Sequence, residues 1–321
     1  MRPSVLPLAV LLITCAACSS SSSSTAAAGG PPDASSDAEG AVLGGYDPTP
    51  FGGSRPVQVY VPSKYSPRTP APLVILLHGY SASGAEEELY LDLHTVAEAD
   101  TVLYAHPDGT TDGAGNRFWN ATDACCNFGG STVNDSAYLA SLVAEIGARY
   151  TVDPKRVYFV GHSNGGFMSY RMACDHADLV AGIVSLAGAM WLDPGKCGAS
   201  GPVSVLEVHG TADPTISYDG GTTRAADGGG SGGGQYPGAK TSVADWATID
   251  GCKAPPDTSL PNLSLESVPP GGETSVTQYK AGCQRSSEAD LWSIAGAGHI
   301  PAFNASFGPL IFKFLLAHPK P

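Results

Sequence analysis

The chain is 321 residues long, with a formal net charge of −13 and only 17 Lys and Arg. It has no basic cluster, which argues against nucleic acid and anionic membrane surfaces as partners. The acidic balance also disfavours polyanionic substrates and leaves neutral glycans, polyesters and lipids open.

Arg2 precedes an apolar stretch from Val5 to Ile13, and small residues then lead to Cys18. This is the build of a secretory signal peptide over residues 1–17, too short for a membrane span. Cys15-Ala16-Ala17-Cys18 is similar to a bacterial lipoprotein cleavage site with Cys18 as the acylated residue; plain secretion is the alternative. Ser19 to Ser24 are all serine, and Ala, Gly, Pro and Asp continue to about residue 45. Such a tract cannot bury enough apolar surface to fold, so residues 18–45 read as a flexible tether. The protein is expected outside the cell or held at its surface or outer membrane as a lipoprotein. It would touch a membrane only through that anchor, and it would act as a monomer.

Residues 46–321 are long enough for one domain with a substantial core. Pro56 to Val61 reads as an early, partly exposed strand. Leu73 to Leu77 is a continuous apolar run, the mark of a strand buried on both faces of a parallel sheet. A helical segment ends near Ala99, and Thr101 to Ala105 supplies the next strand. Asn134 or Asp135 can cap a helix running to about Tyr150, with Leu139, Leu142, Val143 and Ile146 on one face. A β-branched run from Val157 ends at Gly161, and helix-compatible sequence follows from Phe167 to Cys174. Ala181 to Leu186 and Val203 to Val208 are two more strands. The Gly-rich segment from Asp219 to Gly238 reads as a solvated insertion, with a mobile flap as the alternative. Ala289 to Ile294 is the last strand, before a C-terminal helix from about Phe303 to Leu316. Strands alternating with helices, without repeats, predict an α/β fold with an open, mostly parallel central sheet and helices on both faces. Ligands of such sheets lie at the carboxyl ends of the strands.

Gly161-His162-Ser163-Asn164-Gly165 is a G-x-S-x-G pentapeptide at a strand-to-helix boundary. A serine hydroxyl is a poor nucleophile unless it is lifted out and handed to a base, and a sharp turn there does the lifting. His299, in a Gly-rich loop just past the last strand, is the expected base. Asp213, just past the strand ending at Val208, is the expected acid. Asp193 is the fallback acid, while Glu207 sits inside a strand and is less able to reach. Each of the three lies at a strand end, and their order along the chain, Ser, Asp, His, is similar to that of the α/β-hydrolase arrangement. The backbone N–H groups of Tyr80 and Asn164 are the expected oxyanion donors, Gly79 letting the loop after Leu77 fold back toward Ser163. Trp119 and Trp191 are each either a substrate platform or a core anchor. His78 and His209 are expected to tie neighbouring loops together, and His162 to pack inside the turn.

Setting aside Cys15 and Cys18, six cysteines fall in the domain. An even number in an exported chain points to three disulfides, although six cysteines permit 15 pairings. Cys252–Cys283 is favoured as one bridge, with Cys125, Cys126, Cys174 and Cys197 sharing the others. The domain has no C-x-x-C pair and no clustered histidine, so no metal is expected.

Together, Leu76-Leu77-His78-Gly79, Pro107-Asp108-Gly109, Trp119-Asn120-Ala121, Val152 to Tyr158, Gly161 to Gly166 and His209 to Pro214 carry a family likeness. Trp246, Gly251-Cys252, Cys283 and Gly298-His299 extend it. The chain resembles the secreted poly(3-hydroxybutyrate) depolymerase and feruloyl esterase family, related to carbohydrate esterase family 1. The resemblance implies an α/β-hydrolase fold, a Ser163–His299–Asp213 triad, and ester hydrolysis without metal or organic cofactor. Members often carry a bulky Trp soon after the catalytic His, whereas here Ile300-Pro301-Ala302-Phe303 follows, so the leaving-group rim is altered. With no appended binding module, any polymer would be gripped by the catalytic domain. The expected activity is an exported serine ester hydrolase acting through an acyl-enzyme. Its expected substrates are short-chain or aromatic esters and polymer-borne esters, either hydroxyalkanoate polyester or feruloylated or acetylated xylan. A peptidase on the same fold and a silent surface-tethered binding protein are the competing readings.

Overall fold

The computed structural model describes residues 42–223, 233–267 and 272–321. The expected signal peptide, Cys18, most of the tether and the middle of the Gly-rich segment lie outside the described residues. The main sheet is built from β1 (Gly45–Tyr46), β2 (Val59–Val61), β3 (Ala71–Leu77), β4 (Leu103–Ala105) and β5 (Val152–His162). It continues with β6 (Gly182–Leu186), β7 (Ser204–Gly210), β8 (Thr274–Tyr279) and β9 (Ala289–Ile294). Its spatial order is β1-β2-β4-β3-β5-β6-β7-β9-β8. The strands from β4 to β9 in that order run parallel, and antiparallel strands close both edges.

All seven residues of β3 are buried, and they alternate between two cores. Leu73, Ile75 and Leu77 face one core, while Val74 and Leu76 face the other. On the first side lie α3 (Asp135–Arg149), α4 (Asn164–Asp175) and α5 (Ala239–Ile249); on the second lie α1 (Gly84–Leu91), α2 (Leu93–Asp100) and α6 (Phe307–Leu316). This two-sided cover is why a central strand can be apolar throughout, each fully buried Leu, Ile or Val stabilising the fold by about 1.5–3 kcal/mol. Asn134 caps α3, its side-chain oxygen accepting from Ala137 N at 3.0 Å. Leu139, Leu142, Val143 and Ile146 form the buried stripe of that helix. Ser83 and Glu86 close a capping box at the start of α1.

The structure departs from the sequence reading in three places. β8 is an added antiparallel edge strand on β9, and α5 is an added helix. The last helix starts at Phe307 rather than Phe303. Phe303 instead stacks on Phe307 at 3.6 Å, and Asn304 N donates to Leu265 O at 2.8 Å, which turns the chain before the helix can begin. Gly45, the last residue of the expected tether, is already paired with Val61. The two ends of the Gly-rich segment pair with each other as a short antiparallel ladder, Gly220–Thr222 on Gln235–Pro237. Cys174–Cys197 ties the end of α4 to the loop after β6, and Cys252–Cys283 ties the end of α5 to the turn between β8 and β9. Cys125 and Cys126 are bonded to each other. Among the described residues no helix is long and apolar enough to cross a membrane.

Candidate active site

Ser163 sits where β5 turns into α4, at φ 54° and ψ −118°. A non-glycine residue held there costs on the order of 1–3 kcal/mol, so its surroundings must over-determine it. They do so by close packing of backbone. A Cβ on Gly161 would fall 2.1 Å from Gly165 O, and one on Gly165 would fall 2.0 Å from Leu77 O. Ser163 N donates to Leu186 O at 2.7 Å, anchoring the turn to the neighbouring strand. Asn164 begins α4, and the first N–H groups of a helix have no partner inside it, so they face outward with the positive end of the helix dipole.

The Asn164 side chain is occupied elsewhere: its Oδ1 accepts from Trp119 N at 2.7 Å and its Nδ2 donates to Trp119 O at 3.0 Å. Trp119 itself is fully buried, and its indole N–H donates to His78 O. The substrate-platform reading of Trp119 is therefore corrected to a loop anchor, because a ring with no exposed face offers nothing to a ligand. Trp191 is 9% exposed, so little of its side chain is open to a ligand.

At the other strand ends, His299 Nδ1 lies 2.7 Å from Asp213 Oδ2. With Nδ1 donating to a carboxylate, the lone pair is on Nε2, the atom a base would use. Asp213 Oδ1 accepts from Thr215 N and Ile216 N at 2.7 and 2.9 Å. Burial alone would raise the carboxyl pKa, but the bonds from His209 and His299 outweigh it and hold Asp213 well below the usual carboxylate range. His209 stands behind it, with Nε2 3.5 Å from Asp213 Oδ2 and 2.8 Å from Ile216 O, and Nδ1 3.0 Å from Glu207 Oε1. Both ring nitrogens face acceptors. Burial opposes the charge, yet the bonds to Asp213 and Glu207 prevail and raise this histidine to about 9.

The loop after β3 lies over the serine. A Cβ on Gly79 would stand 3.5 Å from Ser163 Cβ, so the loop passes directly against the serine. The Tyr80 hydroxyl donates to Asp112 Oδ2 at 2.8 Å, fixing its ring at the rim. His78 bridges loops: its Nδ1 contacts Gly79 O at 2.7 Å and its Nε2 accepts from Gly109 N at 2.8 Å, the pattern of a neutral imidazole. Burial lowers its pKa accordingly. His162 does more than pack. Its Nε2 lies 3.0 Å from His299 O and its Nδ1 lies 3.2 Å from Glu87 Oε1. Glu87 Oε2 in turn accepts from Gly79 N at 3.0 Å. The sequence reading missed Glu87, whose only signal was its place on the helix after the Gly79 loop.

Asp193, the fallback acid, is exposed and caps a short turn by accepting from Gly195 N. Its carboxylate is spent on that turn. Glu88, Asp92 and His94 bring three metal-ligand types together, but His94 Nδ1 is already 2.6 Å from Glu88 and 3.2 Å from Asp92. A cavity of about 510 Å³ opens beside α5, lined by Thr211, Tyr218, Lys240, Thr277 and Ser293 but by neither Ser163 nor His299.

Residues 49–222 match the family model Esterase, described as "Putative esterase". The chain is 34% identical over 167 residues to "Putative esterase NocK" of Nocardia uniformis subsp. tsuyamanensis, covering 50% of this chain and 47% of that protein. It is 29% identical over 248 residues to feruloyl esterase B of Piromyces equi, covering 76% of this chain and 42% of that one. The chain thus spans about half the length of these curated relatives. Among solved structures, the acetyl xylan esterase from Aspergillus awamori superposes with a TM-score of 0.56 at 17% identity, over 81% of this chain and 93% of that one. That likeness is one of fold, and the architecture is the α/β-hydrolase fold.

Proposed function

Because the chain belongs to the Esterase family, we propose that it is an exported serine ester hydrolase with Ser163, His299 and Asp213 as its triad. The observation that carries the reading is the 2.7 Å contact of His299 Nδ1 with Asp213, and the strained turn that holds Ser163 at φ 54° supports it. Ser163 Oγ attacks the ester carbonyl as His299 Nε2 takes its proton. The N–H groups of Tyr80 and Asn164 receive the oxyanion. The tetrahedral adduct collapses, and the leaving alcohol takes the proton back from His299. Water then attacks the acyl-enzyme as His299 accepts its proton, and the second adduct expels the carboxylic acid as His299 returns that proton to Ser163 Oγ.

The substrates proposed are short-chain or aromatic esters, and esters borne on a polymer such as feruloylated or acetylated xylan or a hydroxyalkanoate polyester. The names of two similar proteins, a feruloyl esterase and an acetyl xylan esterase, support the xylan side. Tyr80 and the small exposed part of Trp191 are the aromatics proposed to meet a planar acyl group. Disulfide pairing supports an oxidising compartment, reached by secretion or by acylation at Cys18.

A fluorophosphonate should label wild-type protein at Ser163 and leave Ser163→Ala unlabelled, with turnover of short-chain p-nitrophenyl esters falling by about 10⁶-fold. Full activity in Ser163→Ala would sink the assignment. A panel of feruloyl ester, acetylated xylan, polyester film and peptide amide reads the substrate. Amide turnover above ester turnover would replace the esterase with a peptidase, and action on soluble esters alone would remove the polymer claim.

A further inference from the structure

The active-site turn, the oxyanion loop and the His299 loop come from three distant stretches of chain, and one buried pair of side chains touches all three. Glu87, 4% exposed on α1, accepts from Gly79 N at 3.0 Å through Oε2. Among the described residues its other oxygen meets only His162 Nδ1, at 3.2 Å, an ion-pair contact rather than an aligned hydrogen bond. His162, 6% exposed and directly before the nucleophile, places Nε2 3.0 Å from the carbonyl oxygen of His299. A carbonyl only accepts, so Nε2 carries a proton, and a carboxylate facing Nδ1 calls for a second one there. The α1 helix is tied to the same loop once more, by Tyr90 Oη donating to Pro301 O at 2.8 Å.

We infer that Glu87 and a doubly protonated His162 form a positioning brace that fixes the His299 backbone and the Gly79–Tyr80 loop relative to Ser163. The inference rests on the serine-hydrolase reading above, and neither residue touches the reacting atoms. The groups facing His162 are Glu87 and Tyr90 from α1, the His299 ring at 5.0 Å from the loop after β9, and Asp213 from the loop after β7. Just past β3, His78 directly precedes the braced loop and is held neutral. Burial would discharge His162, but the contact with Glu87 outweighs it and raises its pKa above the ordinary value. The brace is therefore intact below the ordinary histidine value and loosens as pH rises through the raised one.

The test compares Glu87→Gln, His162→Gln and the double variant, with kcat counted per fluorophosphonate-titrated serine so that any unfolded fraction drops out. Misplacing a catalytic group by about 1 Å costs about 10²-fold. Each single variant should therefore lose about that factor in kcat, with KM held within about threefold because the brace meets no substrate. The double variant should be no worse than the worse single, since the two residues act as one unit. The wild type should show an alkaline fall in kcat that His162→Gln lacks. Near-wild-type kcat in Glu87→Gln, multiplied losses in the double, or the same alkaline fall in His162→Gln would each overturn the brace. Failure of the Ser163→Ala control would overturn the underlying reading instead, so the two failures are distinguishable.

Discussion

Two buried histidine–carboxylate pairs flank His299, and they hold it by different handles. On one side Glu207 and His209 stand behind Asp213, which meets the imidazole itself. On the other, Glu87 and His162 meet the backbone carbonyl of the same residue and the loop over the serine. The first arrangement governs the charge and tautomer of the ring. The second governs where the ring stands. Two pairs of the same chemistry can thus serve one residue without duplicating each other.

The division can be broken most severely at Asp213. Asp213→Asn keeps a polar side chain in place but presents the wrong partner to Nδ1, and kcat should fall by roughly 10⁴-fold. A loss below about tenfold there, beside a large one in Asp193→Asn, would move the acid role to Asp193. Next in size is Glu207→Gln, which takes the carboxylate from Nδ1 of His209 and leaves Asp213 alone on the other side of the ring. Breaking a buried pair costs about 3–5 kcal/mol, and urea unfolding at pH 7 should show a loss of that order. Its kcat per active site should stay within about tenfold, because Asp213 still meets His299; a loss as deep as that of Asp213→Asn would erase the distinction between the two carboxylates. A third effect is pH-dependent. A histidine raised to about 9 stabilises the fold fully below its ordinary value near 6.5, and that contribution is lost as pH rises through 9. Unfolding free energy should fall by about 3 kcal/mol across that window, and Glu207→Gln should flatten the fall. The smallest effect is expected at the exposed Asp193, where Asn can also cap the turn: Asp193→Asn should shift stability by no more than about 0.5 kcal/mol.

Much of the fold was legible because its signals are local. The Leu73–Leu77 run, the Asn134 cap and the glycines around Ser163 each state their structure within a few residues. β8 was not legible: Thr274 to Tyr279 holds one aliphatic residue, Val276, and its pairing with β9 supplies the order that its composition does not. α5, rich in Ala, Thr and Ser, likewise lacks a strong stripe, and Trp246 carries much of its packing. At the site, the Asp213–His299 contact followed from two loops leaving adjacent parallel strands. Trp119 was ambiguous because an aromatic in a polar loop reads the same whether it faces in or out. Glu87 was hidden for the opposite reason. Glu86-Glu87-Glu88 looks like a solvated helix face, yet Glu87 and Glu88 are both buried. Only a fold that brings Gly79 and His162 to α1 gives Glu87 its partners, while Glu88 meets His94 and Tyr104.

The turn at Ser163 sets stability and reactivity against each other. Its backbone occupies a region where glycine alone is at ease. A Ser163→Gly chain should therefore be inert and also sturdier than the wild type, by on the order of 1–3 kcal/mol, whereas Ser163→Ala should keep the strain. Drift toward a more robust molecule would pull position 163 toward glycine, and the hydroxyl would be the first thing surrendered.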